Sequence, residues 1–175
     1  MFYYDEKIKK YEKDCSWDES LLYLENSFLI ESTCEKLNSL VGFSWYYLIE
    51  GPVDSGKYEK DENHLALDLW KKYLGIGLEK YINDPRFCFV AGYTVLLHGF
   101  YIESYQLNYE SLGLELLARA SMTLNPYLKE TSCLVIDRQH RKKHTPIGID
   151  RDILLNIFSN DSLLEKYFIE VFSSK

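Results

Sequence analysis

A stretch with the spacing of a phosphate-binding loop is the first feature of the sequence that could do chemistry. Residues 51–57 read GPVDSGK, which fits the pattern GxxxxGK and follows an apolar run. The run CLVID at residues 133–137 has the form of a strand that supplies a magnesium-directed aspartate. However, the Ser or Thr that should follow Lys57 to bind magnesium is Tyr58. The nucleotide-binding fold also requires several parallel strands, which the sequence does not offer.

Histidines could serve as metal ligands or general bases, but their surroundings argue against both roles. His140 and His144 are four residues apart within the basic run RQHRKKH, whose cations repel a metal ion. This run has no aromatic residue for base stacking, so a solvated or internally paired loop is expected there. His98 lies in an apolar stretch near Cys88 and is expected to be a core or rim residue. We therefore predict no metal, no cofactor and no catalytic residue.

Composition favours protein binding over catalysis. The chain has 15 tyrosines among 175 residues and a formal net charge of minus seven, from 27 acidic and 20 basic residues. Phosphate binding requires clustered cations, so nucleic acid is not expected to be a direct partner. Tyrosine is enriched at protein interfaces, and an acidic surface attracts a basic partner. These properties predict a binding protein with a basic protein partner.

The remaining composition predicts a cytoplasmic protein without a membrane partner. The longest uncharged stretch, residues 87–102, is shorter than the roughly 20 residues that span a bilayer. Five of the first ten residues are charged, in a region where a secretory signal would be apolar. The four cysteines form no CxxC pair and are expected to be buried, reduced thiols.

Helical spacing of apolar residues runs through most of the chain and predicts the fold class. We expect an all-α protein, a single domain over residues 1–175, with about seven helices packed as stacked antiparallel hairpins. Residues 131–136 are rich in β-branched side chains and could form a short strand, although a helical turn or an irregular segment is favoured. The predicted helices cover residues 4–15, 18–50, 61–83, 86–105, 108–124, 150–158 and 161–172. The second of them is expected to have a kink between Phe28 and Leu37 and a division at Gly42. Asn108 and Asp150 are expected to cap their helices, and Gly92 and Gly99 are expected to let a neighbouring element approach closely.

Two acidic clusters that contain tyrosines are the candidate binding surfaces. One cluster lies in the polar stretch 51–62, which is predicted to be a loop. The other covers residues 103–110, at the tip of the predicted helical hairpin. Tyrosines in apolar stripes are expected in the core, namely Tyr73, Tyr81, Tyr93, Tyr101 and Tyr167. Tyr3, Tyr46, Tyr47 and Tyr127 lie off those stripes and are expected at the surface. The candidate partner-binding residues are Asp54, Tyr58, Glu59, Asp61, Glu62, Glu103, Tyr105, Tyr109 and Glu110.

The segment between Phe89 and Pro126 contains, in order, FVAGY, LLHGFYI, YESLG, LLARA and LNP. In this order it resembles the helical hairpin of bacterial immunity proteins that accompany contact-dependent or other polymorphic toxins. The resemblance implies a small cytosolic protein that binds a cognate toxin domain, often a basic nuclease, and occludes its active site. It identifies no binding residue. The LNP ending is also similar to tetratricopeptide-type repeats, but the chain contains no second unit of that pattern.

Three functional hypotheses follow. The first is an immunity protein that neutralises a cognate toxin domain. The second is a helical adaptor or scaffold that binds an endogenous protein partner. The third is a P-loop-like nucleotide-binding enzyme that would depend on Lys57.

Overall fold

The computed structural model describes residues 1–55, 64–102, 108–141, 148–159 and 161–173. Within these ranges the fold is all-α, as the helical spacing predicts, and the one β pairing is an isolated bridge between Ile149 and Ser173. None of the helices in these ranges is long and apolar enough to cross a membrane. The helices are α1 (Glu6–Lys13), α2 (Trp17–Ile30), α3 (Cys34–Ser55), α4 (His64–Lys80), α5 (Pro85–His98), a 3₁₀ helix (Gly99–Ile102), α6 (Tyr109–Ser121), α7 (Pro126–Arg141), α8 (Arg151–Leu154) and α9 (Leu163–Phe172).

The helices form two compact units. The N-terminal unit, Phe2–Tyr81, contains α1 to α4, and the C-terminal unit, Ile82–Lys175, contains the remaining helices. The single domain over residues 1–175 stays a prediction, and each unit is described by itself.

In the N-terminal unit, α3 packs against both α2 and α4. The inward stripe of α2, formed by Leu21, Leu24 and Phe28, is buried. All three tryptophans of the chain, Trp17, Trp45 and Trp70, are also buried here. The core of this unit is therefore built around large rings at helix–helix contacts.

The boundary between α2 and α3 lies between Phe28 and Leu37, where a kink was predicted, whereas the division predicted at Gly42 is wrong. The break lies at residues 31–33, and Gly42 is buried inside α3. Helix α3 begins where the Thr33 hydroxyl accepts a hydrogen bond from the Lys36 amide at 3.4 Å, as a helix cap does. The cap, rather than the glycine, decides where the helix divides.

The end of α3 also differs from the prediction. Gly51 and Pro52 were expected to end the helix and to begin a loop, but α3 extends to Ser55. A proline removes one helical hydrogen bond, and the helix continues for less than one turn beyond it.

A carboxylate joins α2 to α4 in the N-terminal unit. Glu25 Oε1 accepts hydrogen bonds from Lys72 Nζ and from the Tyr73 hydroxyl, both at 2.8 Å. Partial burial acts to raise the pKa of Glu25, but the two hydrogen bonds and the charge of Lys72 outweigh it, so that the pKa is lowered. The charged form of Glu25 is therefore the one that stabilises the fold.

Glu25→Gln is expected to reduce the free energy of unfolding by about 1 kcal/mol at pH 7, because it removes the charge from this contact. Since the folded pKa of Glu25 lies below its unfolded value, its contribution is complete above the unfolded pKa and is lost as pH falls through the folded pKa. The difference between wild type and variant should therefore shrink as pH falls below about 4. Urea denaturation at a series of pH values measures it.

Glu115→Gln is the matched control, since Glu115 forms an exposed i,i+4 pair with Arg119. Such pairs contribute only about 0.3–0.5 kcal/mol, so this variant should change stability little. Equal losses for the two variants, or a Glu25→Gln loss that does not depend on pH, would contradict the role of Glu25.

The C-terminal unit is centred on the hairpin of α5 and α6. A Cβ atom built on Gly92 would lie 3.0 Å from the Gly113 carbonyl oxygen, and one on Gly113 would lie 2.8 Å from the Leu96 backbone nitrogen. The close approach predicted at Gly92 is therefore confirmed. Helix α6 begins at the predicted cap, where Asn108 Oδ1 accepts a hydrogen bond from the Ser111 amide at 3.0 Å.

Three other segments of this unit complete the comparison with the predicted helices. Residues 131–136 are helical, because they lie inside α7. Asp150 caps α8 by accepting a hydrogen bond from the Asp152 amide at 2.8 Å, but α8 ends at Leu154 instead of Phe158. Helix α6 ends at Ser121, three residues before its predicted end. Helix α7, Pro126–Arg141, was not among the predicted helices, and the ends of α6 and α8 were predicted too far along the chain.

A cluster of stacked and tilted rings fills the core of the C-terminal unit. Phe168 of α9 lies at its centre, with ring centroids 5.1 Å from Phe158, 5.3 Å from Tyr93 and 5.9 Å from Phe89. The Phe168 side chain is fully buried. This cluster joins α9 to α5, because Phe168 contacts Phe89 and Tyr93. Helix α5 is buried along most of its length.

Candidate functional site

The structure describes only part of the predicted binding clusters. Asp54 lies in the last turn of α3, and Tyr109 and Glu110 lie in the first turn of α6. The other predicted residues lie outside the described ranges, namely Tyr58, Glu59, Asp61, Glu62, Glu103 and Tyr105. The site is therefore built from the end of the α5–α6 hairpin.

This end of the hairpin is a tight contact between Gly99 and Tyr109. A Cβ atom built on Gly99 would lie 2.4 Å from Tyr109 Cβ, closer than any real Cβ contact. Gly99 was predicted to allow a close approach, which is confirmed. Because a glycine is required here, Tyr109 is held directly against the turn that leaves α5.

Large apolar side chains surround this contact and are exposed. The exposed fractions are 40% for Leu97, 45% for Phe100, 41% for Tyr101 and 37% for Tyr109. Phe100 and Tyr101 form a tilted ring pair with centroids 4.4 Å apart, and His98 stacks on Tyr101 at 6.3 Å. We call Leu97, His98, Phe100, Tyr101, Tyr109 and Glu110 the tip surface.

The charge of the tip surface comes from Glu110. Partial burial lowers the pKa of His98 below its usual value, so its ring is neutral at pH 7. Glu110 is exposed and accepts a hydrogen bond from Gln139 Nε2 at 3.0 Å. The tip surface therefore combines exposed rings with a negative charge, which suits an apolar and basic partner surface.

Sequence reasoning missed the contributions of Leu97, Phe100 and Tyr101. Tyr101 was predicted in the core, and this is wrong because α5 ends at His98 and gives way to a 3₁₀ helix. A 3₁₀ helix has 3.0 residues per turn instead of 3.6, so it rotates later residues out of the apolar stripe. Gly99 within a long apolar run was the available signal.

The burial of the tyrosine side chains in the N-terminal unit agrees with the prediction for some residues and differs from it for others. Tyr73 is buried as predicted. Tyr46 was expected at the surface, but it is buried, with its ring tilted against Trp17 at 6.3 Å. Tyr3 and Tyr47 are half-buried. Tyr46 belongs to the core because α3 contacts neighbouring helices on more than one side.

The sequence features that could do chemistry do not assemble in the described residues. Residues 45–49, before the GPVDSGK stretch, are helical, and CLVID lies inside α7, so neither is the strand that a P-loop fold requires. Lys57 lies outside the described ranges. Among the described residues, no group of three His, Cys, Asp or Glu side chains could hold a metal ion.

The Cys88 thiol is buried and is held in its protonated form. Burial raises the pKa of Cys88 to about 11, and its Sγ donates a hydrogen bond to the Ile82 carbonyl at 3.0 Å. The thiol is therefore protonated at pH 7. Cys34 is also buried as predicted, whereas Cys15 and Cys133 are exposed, so the prediction of four buried thiols is only half right.

The basic run at residues 138–144 was predicted to be a loop, but its described residues, 138–141, are helical because they lie in α7. Its first residue is paired internally, as one form of the prediction had it. Arg138 Nη1 donates a hydrogen bond to the Val171 carbonyl at 3.0 Å, and its guanidinium lies 5.9 Å from the centre of the Phe172 ring. His140 is exposed on α7, and His144 lies outside the described ranges. Arg138 therefore connects α7 with α9.

Comparison with known proteins finds no similar family model, no similar curated protein and no similar solved structure.

Proposed function

We propose that this chain is an immunity protein, which binds a cognate basic toxin domain through the tip surface and occludes its active site. The observation that carries the proposal is the group of exposed aromatic side chains at the end of the hairpin. That hairpin contains the segment that resembles immunity proteins of polymorphic toxin systems.

The chemistry of the tip surface supports a protein partner. Most of the binding energy of a protein interface comes from a few residues, and Trp, Tyr and Arg are enriched among them. Phe100 and Tyr101 present two exposed rings on the 3₁₀ helix, and Tyr109 presents a third from the first turn of α6, where it lies against Gly99. Rings that are already held in place lose little conformational entropy on binding. The tip surface is therefore preorganised for association.

Charge supports a basic partner. The chain carries a formal net charge of minus seven, so its field attracts a cationic domain over long range and increases the association rate. At the tip surface itself, Glu110 provides a carboxylate beside the rings. Nuclease domains carry cations around their active sites to bind phosphates. A hairpin end that enters such a cleft would exclude the nucleic acid.

The test uses the basic toxin domain encoded beside the gene for this chain. We expect the double variant Phe100→Ser/Tyr101→Ser to bind it at least about 10-fold more weakly than wild type, because the variant loses two exposed aromatic contacts. Isothermal titration calorimetry measures the affinity, and growth of cells that express both proteins measures protection.

Leu124→Ser is the matched control, since Leu124 is fully exposed in the turn after the other end of α6. It should bind and protect like wild type. If the neighbouring gene encodes no toxin and the chain protects against none, the proposal must be abandoned. Specific binding to an endogenous housekeeping or regulatory protein would favour the adaptor hypothesis instead.

A further inference from the structure

Buried serines in the helices of this chain satisfy their hydroxyls in different ways. Ser39 and Ser132 each donate a hydrogen bond to the carbonyl four residues earlier, at 3.0 Å and 2.7 Å. A serine inside a helix commonly does so. Ser20 of α2 and Ser44 of α3 are equally buried, with exposed fractions of 1% and 0%, but their hydroxyls make no hydrogen bond to any described residue. These two hydroxyls therefore need another partner.

Two contacts establish how α2 and α3 lie against each other. The rings of Trp17 and Tyr47 stack with centroids 5.5 Å apart. Farther along α2, the Ser27 carbonyl accepts a hydrogen bond from Lys36 Nζ at 3.3 Å. Residue numbers rise along α2 between these contacts and fall along α3, so the two helices run antiparallel.

This arrangement places the two serines opposite each other. Ser20 lies three residues after Trp17, and Ser44 lies three residues before Tyr47. Residues three apart in a helix are neighbours on one face. Each serine is therefore on the same face as the ring beside it, and the two serines face each other at one level of the contact.

Large side chains hold the two helices apart on both sides of this level. The stacked rings of Trp17 and Tyr47 lie on one side. Leu24 and Leu40 lie on the other side, four residues beyond Ser20 and Ser44, and both are fully buried. Two serine side chains are much smaller than these pairs, and no hydrogen bond joins the two hydroxyls. The space between them suits a molecule of the size of water, since larger voids are rare in protein interiors.

A third polar group without a partner lies one turn away. Trp17 Nε1 is buried and makes no hydrogen bond to any described residue. An indole N–H only donates, whereas a serine hydroxyl both donates and accepts. Burial of any of these groups without a partner costs stability. A water molecule can accept from the indole and bind both hydroxyls, and buried waters commonly make about three hydrogen bonds of this kind.

We propose that an internal water molecule bridges Ser20 Oγ and Ser44 Oγ between α2 and α3 and accepts a hydrogen bond from Trp17 Nε1. The water gives each of the three buried groups a partner that its own helix does not supply. It also fixes the register of the two helices, because a shift of either helix by one residue would break the bridge. This site is independent of the proposed function, which depends on the tip surface of the C-terminal unit.

A crystal structure of the full chain, at a resolution that shows ordered water, tests the site directly. We expect an electron-density peak about 2.7–2.8 Å from both Oγ atoms, the usual distance for a hydrogen bond between two oxygens. The double variant Ser20→Ala/Ser44→Ala should lack this peak. A direct hydrogen bond between the two hydroxyls, bonds from each to its own helix, or no density between them would overturn the proposal.

Urea denaturation gives an independent measurement. Relative to the control below, Ser20→Ala and Ser44→Ala should each raise the equilibrium constant of unfolding at least about 5-fold, because each removes a hydrogen bond to the water. A buried hydroxyl without a partner has the opposite sign, since its removal would lower that constant. Both single variants weaken the same water site, so the double variant should raise the constant by less than the product of the two single effects.

Ser27→Ala is the matched control, since Ser27 is half-buried in the same helix. Alanine favours a helix more than serine does, so this variant should lower the equilibrium constant of unfolding by about 2-fold. Circular dichroism checks that all variants are folded. Unfolding constants for Ser20→Ala and Ser44→Ala that are no higher than that of the control would overturn the bridge, as would single effects that multiply in the double variant.

Discussion

Phe168→Ala is expected to lower the free energy of unfolding by about 3–5 kcal/mol, as removal of a buried phenylalanine ring commonly does. The Phe168 ring is fully buried and contacts rings from α5, from the segment after α8 and from its own helix. Its loss would leave a cavity that the surrounding rings cannot fill without changing their own contacts. Urea denaturation followed by far-ultraviolet circular dichroism measures the effect.

Phe100→Ala is the matched control in the same unit. Phe100 is 45% exposed, so its removal should change the free energy of unfolding by about 0.5 kcal/mol or less. Similar losses for Phe100→Ala and Phe168→Ala would contradict the placement of Phe168 at the centre of the core. A small loss for both would show that the ring cluster does not stabilise the unit.

Gly113→Ala is expected to destabilise the protein by about 3 kcal/mol, because overpacking of a close helix contact forces the backbones apart. The added methyl group would lie 2.8 Å from the Leu96 nitrogen and 2.9 Å from the Leu96 Cα and Cβ atoms. Backbone atoms inside α5 cannot move away without shifting the helix. Denaturant unfolding measures this loss, and any partner bound at the tip surface should also bind more weakly.

Gly75→Ala provides the opposite expectation for the same substitution. Gly75 lies within α4, and a Cβ atom built on it would meet no atom within 4 Å. Alanine should therefore stabilise the protein by about 0.5–1 kcal/mol, since it favours the helix more than glycine does. If both variants destabilise the protein, the contact between α5 and α6 is not what makes Gly113 necessary.

The helices themselves could be predicted from the sequence where local chemistry decides them. Asn108 and Asp150 cap helices at the predicted positions, because each side chain accepts a hydrogen bond from an amide two or three residues later. At both caps, the residues within one turn of the helix start determine where the helix begins.

The features that depend on distant residues could not be predicted in this way. Helix α3 passes Gly51 and Pro52, two residues that commonly end a helix, and so local breaker signals were wrong there. Tyr46 lies off its stripe but is buried, because α3 contacts more than one neighbouring helix. Burial on a second helix face is a property of the packing, which periodicity along one helix does not contain.

The exposure of two candidate site residues could be predicted from the sequence, while partner binding there stays a prediction. The turn before α6 was identified from its acids and tyrosines, and Tyr109 and Glu110 are indeed exposed there. The rings of Phe100 and Tyr101 were not recognised, since the change from α-helix to 3₁₀ helix at Gly99 decides which way they face. The apolar residues of a stripe look the same in the sequence whether they face the core or the solvent.

The placement of the three tryptophans gives the chain an optical reporter for one of its two units. Trp17, Trp45 and Trp70 are buried in the N-terminal unit, and residues 82–175 contain no tryptophan. Tryptophan fluorescence, excited at wavelengths that tyrosine does not absorb, therefore follows the opening of the N-terminal unit, while circular dichroism follows the helices of both. Coincident transitions indicate cooperative unfolding, and separate ones indicate independent units. Each core variant can thus be assigned to the unit that it loosens, without any added label.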